Sequence, residues 1–301
     1  MNKKRVCVNL LGKKGYDCLK SLVNSNLHDC LSILVVIGQD DNVTNDYSAE
    51  VEGLCNNFDI DFVYRDKTLD YSLFDYVFAV GWRWLIRGVL EQKLIVFHDS
   101  ILPKYRGFAP LVNAAMNKEP QLGVTALYGH TEYDKGDIIG QRIINVTYPN
   151  RISHFIDVIS NCYAVLFIDI VEQILDEKPI CSIVQNEAEA SYSIWLDDED
   201  YYINWADSAE DIAHKINLLG APYKHACTFL KEDRINLISA EVYKDLTVEA
   251  RHIGKVMLID DGCPVIICGD GLIKLTDFTD SKGNSLIPYT SIRARFKNDS
   301  I

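Results

Sequence analysis

His98 ends the apolar run Leu94–Phe97 and is followed by Asp-Ser-Ile-Leu-Pro-Lys-Tyr-Arg-Gly. Proline cannot donate to a ladder and glycine permits a turn, so this histidine should sit at the carboxyl edge of a sheet, where open α/β sheets bind ligands. Asp134 lies 36 positions further on, near the tip of a polar loop between two apolar stretches, with Gly136 allowing the turn. An imidazole can carry a proton near neutral pH, and a carboxylate beside it orients the ring and stabilises its charged form. Together the two residues can do general acid–base work. Taken singly, each also reads without chemistry, His98 as a histidine bonded to its own loop and Asp134 as a turn-stabilising side chain in a hairpin.

The elements that would hold this pair are legible upstream of it. Apolar runs at Val6–Leu11, Ile33–Ile37, Phe74–Val80 and Leu94–Phe97 are bounded by Gly, Asp or Asn, as buried parallel strands should be. Tyr16–Val23, Asn45–Cys55 and Leu85–Glu91 read as the helices between them, and the alternation implies a doubly wound, mostly parallel, Rossmann-like α/β sheet. The Gly12-Lys13-Lys14-Gly15 turn lacks the spacing of a dinucleotide fingerprint, so its glycines read as turn residues. From Arg151 to Glu177, Ile152, Ile156, Ile159, Tyr163, Leu166, Ile170 and Ile174 recur at helical spacing, a core-facing stripe that Pro179 ends. Beyond it come an acidic run at Asp197–Asp200, which reads as solvated surface, a helix near Ser208–Leu218, and short strands separated by turns. The expected organisation is a first domain over 1–180 and a smaller, largely antiparallel β domain over 181–301.

Composition narrows the classes. The nine cysteines are an odd number with no Cys-x-x-Cys pair, which argues against a disulfide framework and against a zinc site. No stretch reads as long and apolar enough to span a bilayer, and the first residues read as a strand and not as a leader, so the expectation is a cytoplasmic protein with no membrane and no metal. Thirty Lys and Arg against 43 Asp and Glu give a net charge of −13, a field that repels phosphate backbones and disfavours nucleic acid as a partner.

Taken together, His98 with its Ser-Ile-Leu-Pro and Tyr-Arg-Gly continuation, then Gly123-Val124-Thr125 and Asp134-Lys135-Gly136-Asp137, resemble the folate-dependent formyltransferases. The resemblance implies transfer of a formyl group from 10-formyltetrahydrofolate to an amine, with His98 moving the proton and Asp134 holding and charging it. The chemistry agrees: an amine attacking a formyl carbon must lose a proton, the carbonyl oxygen must be stabilised as charge develops, and the departing nitrogen must be protonated. It further implies a pterin lying against the backbone of Gly81, Trp82, Arg83, Trp84 and Leu85 and against His130, Thr131, Glu132 and Tyr133. The family places an asparagine two residues before the histidine as a donor to the formyl oxygen, and this chain has Val96 there. Asn113 or protonated His98 is the expected substitute.

The segment from Ser193 to Trp205, the helix after it and Gly220-Ala221-Pro222-Tyr223 look like the C-terminal module of methionyl-tRNA and sugar-nucleotide N-formyltransferases. From Ile180 to Ile301 there are 12 Lys and Arg against 20 Asp and Glu, where a tRNA-binding module should be basic. The expected acceptor is therefore a UDP- or dTDP-linked deoxyamino sugar, a step that in similar enzymes decorates bacterial surface glycans such as lipopolysaccharide O-antigen. Ser100, Lys104, Tyr105 and Arg106 are the expected substrate contacts, Lys104 and Arg106 for the diphosphate. Similar enzymes are often dimers, so a homodimer is expected. The alternatives are a methionyl-tRNA formyltransferase and, because of Val96, a non-catalytic folate or nucleotide-sugar binding protein.

Overall fold

The computed structural model describes residues 3–66 and 68–298. Met1–Thr147 and His154–Trp195 form one unit, and Tyr148–Ser153 with Leu196–Ile301 form a second.

In the first unit strands and helices alternate as β1 (Lys4–Leu10), α1 (Gly12–Asn24), β2 (Leu31–Ile37), α2 (Ser48–Asn57), β3 (Asp61–Tyr64), β4 (Tyr76–Val80) and β5 (Leu94–His98). The two-residue strand β6 (Arg106–Gly107), helix α3 (Pro110–Met116), strands β7 (Gln121–Tyr128) and β8 (Ile138–Asn145), helix α4 (Ile152–Leu175) and strand β9 (Tyr192–Ser193) follow. The main sheet has the order β3-β2-β1-β4-β5-β7-β8. Strands β1 to β5 pair in parallel, and β7 and β8 close the edge antiparallel. The order turns back between β1 and β4, the arrangement of a doubly wound sheet, and such a reversal leaves a crevice outside the carboxyl ends of the strands.

Helix α4 corrects one expectation. By length and composition it is apolar enough to cross a bilayer, where the sequence reading finds no such stretch. Its apolar residues answer to the sheet: the stripe from Ile152 to Ile174 is buried. Phe167 meets Phe78 of β4 edge-on at 5.0 Å, and Tyr163 stacks on Phe97 of β5 at 5.5 Å. A second correction concerns Leu85–Glu91, which forms no helix; the chain there is irregular up to a single 3-10 turn at Glu91–Lys93. Gly88 sits at φ +77°, outside helical geometry, while Ile86 and Val89 tuck onto the Tyr71 and Phe74 cluster and Leu85 and Leu90 face solvent.

In the second unit a 3-10 turn at Glu199–Tyr201 precedes helix α5 (Ala209–Leu218). The Ser208 side chain accepts the Asp211 amide at 3.1 Å, and Glu210 and Asp211 lie in the first turn, where the helix dipole favours negative charge. Six strands follow, β10 (Ala226–Leu230), β11 (Asp233–Tyr243), β12 (Val256–Asp260), β13 (Cys263–Ile267), β14 (Leu272–Asp280) and β15 (Phe296–Lys297). They form one antiparallel sheet in the order β12-β13-β14-β11-β10-β15, around Leu237, Val265, Leu275, Phe278 and Phe296.

Within the acidic run, Asp198 is fastened. It accepts from Arg234 Nη1 at 2.6 Å and from Lys224 Nζ at 2.7 Å, and these bonds hold its carboxyl down at about 2. A carboxyl depressed by folding stabilises the folded state above its unfolded pKa and ceases to do so as pH falls through the folded one. The side chain is half exposed, so solvent screening keeps the contribution to about 1 kcal/mol or less. Asp198→Asn should therefore melt slightly below the parent at pH 5, and the difference should vanish by about pH 2; a pH-independent difference in Tm would count against the ion-pair account.

Candidate active site

Side chains alternate across β5. Ile95 and Phe97 face the buried side, and Val96 and His98 point to the other. His98 is only 7% exposed. Its Nε2 donates to the carbonyl oxygen of Tyr105 at 2.8 Å, and its Nδ1 faces Asp134 Oδ1 at 3.5 Å. The other Asp134 oxygen accepts the Gly107 amide at 2.8 Å. A neutral ring donating from Nε2 presents a lone pair at Nδ1, and a proton added there turns the approach to Asp134 into a charge-assisted hydrogen bond. The bland reading of His98 holds as well, since it bonds its own loop; Asp134 sits at a left-handed backbone position, φ +55°, but its side chain accepts from Gly107 of another loop and is not seen bonding its own turn.

The loop after β5 is shaped by hydroxyls and backbone. Ser100 Oγ donates to the Lys104 carbonyl at 2.7 Å, so it closes the turn. The buried Thr125 hydroxyl donates to Ser100 O at 2.7 Å and accepts from Leu102 N and Gln141 Nε2, which satisfies it fully. Arg106 is fully buried. Its Nε and Nη2 donate to Gln185 Oε1 at 3.1 and 2.8 Å, and its two Nη groups reach the Glu187 carboxylate at 3.0 and 2.7 Å. Gln185 in turn donates to the carbonyls of Asp134 and Gly136, both at 2.7 Å. A guanidinium expected to meet a diphosphate is thus occupied inside the protein, and its contribution is to hold the Asp134 loop. The strand pair β6–β9 adds Arg106 N to Ser191 O at 2.8 Å and Phe108 N to Ser193 O at 3.1 Å. Residues 181–195, assigned from the sequence to the second domain, therefore pack in the first unit and against the loop that carries the site.

Asn113 is also occupied: its amide donates to Ala109 O at 2.9 Å and to Ile194 O at 3.2 Å. Both donor hydrogens lie on backbone carbonyls, so the side chain expected to replace the missing amide at Val96 is bound to its own framework. Tyr105 bonds Glu119 and Asn117 through its hydroxyl, and Lys104 is exposed. Trp82 and Trp84 meet at 4.8 Å, with Gly38 so close that a Cβ there would lie within 2.9 Å of both rings. Arg83 bonds Asp40 at 2.5 Å, Leu85 is exposed, and Gly81 at φ +62° approaches Leu11 O where a Cβ would stand 2.5 Å away. His130, Thr131, Glu132 and Tyr133 are exposed, with Glu132 paired to Lys135 and Tyr133 against Phe108 at 5.7 Å.

A group that sequence reasoning missed lies just past the end of β5. The Asp99 carboxylate accepts from Lys14 of α1 and from the Tyr163 hydroxyl of α4. Burial pushes its carboxyl up, but Lys14, Tyr163 and His98 together outweigh that and hold it below the ordinary range. The one signal available beforehand is a carboxylate next to the candidate histidine; its partners are 85 and 64 positions away and invisible to local pattern.

Two family models match the chain, Formyl transferase over residues 68–157 and Formyl transferase, C-terminal domain, over residues 196–290. The first match contains His98, Asp134 and the Gly81–Leu85 loop. The methionyl-tRNA formyltransferase of Syntrophomonas wolfei is 26% identical over 180 residues, 60% of this chain and 56% of that protein. The chain spans a little over half the length of the methionyl-tRNA formyltransferases that it matches. Among solved structures, WlaRD, a sugar 3N-formyl transferase in the presence of dTDP and 5-N-formyl-THF, superposes with a TM-score of 0.68 at 15% identity over 93% of this chain and 99% of that one. The N-formyltransferase from Helicobacter canadensis, in complex with folinic acid and dTDP-3-aminofucose, gives 0.62 at 18% identity over 91% and 99%. At such identities the likeness is one of fold.

Gly107 is where this geometry is least forgiving: at φ +100°, a Cβ would stand 2.6 Å from Ser193 O. Gly107→Ala should lower the unfolding free energy by about 2 kcal/mol in denaturant titrations, through left-handed strain and the forced parting of β6 from β9. An unchanged midpoint would mean that this pairing does not hold the loop.

Proposed function

Because the chain belongs to the formyl transferase family, we propose that it transfers a formyl group from 10-formyltetrahydrofolate to the amine of a nucleotide-linked deoxyamino sugar carrying UDP or dTDP. The observation that carries the reading is the His98–Asp134 pair at the carboxyl edge of the sheet. The donor supplies an activated formyl group, and the partly exposed Gly81–Leu85 loop with the exposed His130–Tyr133 segment is where it would rest. As the amine bonds to the formyl carbon, His98 takes its proton at Nδ1 and Asp134 stabilises the imidazolium; the same proton then serves the departing nitrogen. With Val96 in place of an amide, Asn113 bound to backbone and both imidazolium N–H groups turned to Tyr105 O and Asp134, the developing oxyanion would draw on the positive charge of His98 and not on a side-chain hydrogen bond from these residues.

Charge supports the sugar acceptor: the C-terminal 122 residues from Ile180 carry 12 Lys and Arg against 20 Asp and Glu, an unfavourable surface for a tRNA backbone. Lys104, exposed in the loop after β5, is the cation that this reading assigns to the diphosphate. The names of the curated relatives favour a second reading, transfer to methionyl-tRNA, so the test includes both acceptors.

The experiment is mass spectrometry of UDP- and dTDP-linked amino sugars and of methionyl-tRNA, each incubated with the protein and 10-formyltetrahydrofolate. One formyl group is expected on a sugar nucleotide and none on the tRNA; the reverse would move the assignment to tRNA. Folate and sugar-nucleotide binding without turnover on any acceptor would make this a binding protein. His98→Asn and Asp134→Asn should each lower kcat by at least about 100-fold with the fold intact, and near parental rates in both would remove the pair from the mechanism. Val96→Asn should raise kcat by about tenfold or more, since one oxyanion donor is worth about 100- to 1,000-fold where nothing else fills the role. An unchanged rate would show that the oxyanion is already fully served.

A further inference from the structure

Both nitrogens of the His98 ring face oxygen atoms, and a neutral ring has one proton to place between them. The Tyr105 carbonyl oxygen stands 2.8 Å from Nε2, and Asp134 Oδ1 stands 3.5 Å from Nδ1. A carbonyl oxygen only accepts, so a contact of 2.8 Å requires the hydrogen on Nε2; the other neutral tautomer would set two lone pairs against each other at that distance. The Asp134 contact is long for a hydrogen bond and makes no such demand. The free lone pair at Nδ1 is therefore set by the peptide on the opposite side of the ring.

That peptide is held in an unusual state. Tyr105 lies at φ +58°, a left-handed backbone that a bulky L side chain rarely adopts. Both ends of the residue are fastened. Its amide donates to Ser191 Oγ at 3.0 Å, while its hydroxyl donates to Glu119 Oε1 at 2.7 Å and accepts from Asn117 Nδ2 at 3.0 Å, just past the end of α3. Ser193 Oγ adds a longer bond, 3.4 Å, to the same carbonyl that receives His98. Backbone held away from its preferred region persists only where its surroundings over-determine it, and such residues gather at functional sites. The tyrosine side chain bonds protein and its carbonyl bonds the ring, so what the strained peptide acts on is His98.

We propose that Tyr105 is a positioning residue that fixes the tautomer of His98: its hydroxyl, anchored by Asn117 and Glu119, holds a left-handed peptide whose carbonyl keeps the neutral ring protonated at Nε2 and leaves Nδ1 as the proton acceptor. The inference rests on the reading of His98 as the residue that moves the proton. Tyr105 touches neither substrate nor reacting atoms in this role. Released from its anchor, the peptide relaxes toward the ordinary right-handed or extended region, and its carbonyl turns off the ring. Nε2 then loses its acceptor, and the tautomer with its N–H at Nδ1, directed at Asp134, gains population. That form carries a hydrogen where the proton of the amine has to be received, so only the remaining fraction of the protein turns over. One hydrogen bond choosing between two tautomers is worth about a fivefold to tenfold change in their ratio.

The experiment is Tyr105→Phe in the full chain, read by heteronuclear NMR of isotope-labelled histidine ring nitrogens at the alkaline plateau, where the ring is neutral, with His98 assigned by its loss in His98→Gln. The parent should show hydrogen on Nε2 and a bare Nδ1. Tyr105→Phe should move the ratio toward hydrogen on Nδ1 by about fivefold to tenfold. In the same variant kcat on the acceptor identified above should fall in proportion to the lost Nε2–H fraction, with KM little changed. A parental ring with hydrogen on Nδ1 overturns the proposal, and so does an unmoved ring in a natively melting Tyr105→Phe, whatever happens to kcat. Glu119→Ala, which leaves the tyrosine and withdraws its acceptor, should shift the ring in the same direction and decides the matter should Tyr105→Phe not fold. Ring populations are read without turnover, so an absent formyl acceptor would count against the proposed reaction, and an unmoved ring against the positioning role.

Discussion

A guanidinium shut away from water has to place its N–H donors within the protein, and Arg106 places its own on Gln185 and Glu187. From this one requirement the neighbourhood of the site follows. Gln185, held by the arginine, secures the carbonyls on either side of the Asp134 turn; the adjoining Gly107 amide fixes one Asp134 oxygen; the remaining oxygen is left to face His98. The loop after β5, the Asp134 loop and the strand β9 are tied by donors and acceptors that all find partners. Breaking this set costs more than any one of its bonds is worth on the Arg106 and Gln185 side, where the groups left behind are buried; Glu187, exposed, can turn to water.

His98 and Asp134 were legible because their signals are local: an apolar run that ends in a histidine, a polar tip with a glycine two residues later. The parallel strands and the α4 stripe were legible for the same reason, since burial writes itself into spacing. What local pattern cannot carry is where a long side chain ends. Arg106 and Asn113 looked available for ligand, and Arg106 is consumed by residues about 80 positions away while Asn113 bonds Ala109, at the N-cap of α3, and Ile194. The stretch Leu85–Glu91 misleads in the opposite sense: helix-forming residues surround Gly88, but only two of its apolar side chains find a surface to cover.

Strand β5 works on two faces at once. Toward α4 it offers Phe97 to an aromatic stack, and Asp99, the residue after the strand, joins a part-buried ion pair with Lys14 and a bond from Tyr163 that fasten the strand end. Toward the crevice it offers Val96 and His98. A proton-transfer residue gains from a scaffold that does not reorganise while charge moves, and the packed side of the strand supplies that stiffness to the open side. Val96 shows the limit of the arrangement: on the same face and only two residues from His98, it contributes shape and no hydrogen bond.

The strap that runs from Gln185 to Ser193 bears on how such chains can be cut and recombined. A fragment ended at the helix that precedes it would keep the whole seven-stranded sheet and still lose every partner of the Arg106 side chain, together with the strand beside Gly107. A transplant of the first unit has to carry its junction to Trp195, and has also to reckon with Tyr148–Ser153, which the chain gives to the second unit. The joint therefore goes with the sheet and its loops, and past it the freedom to vary would start at Leu196.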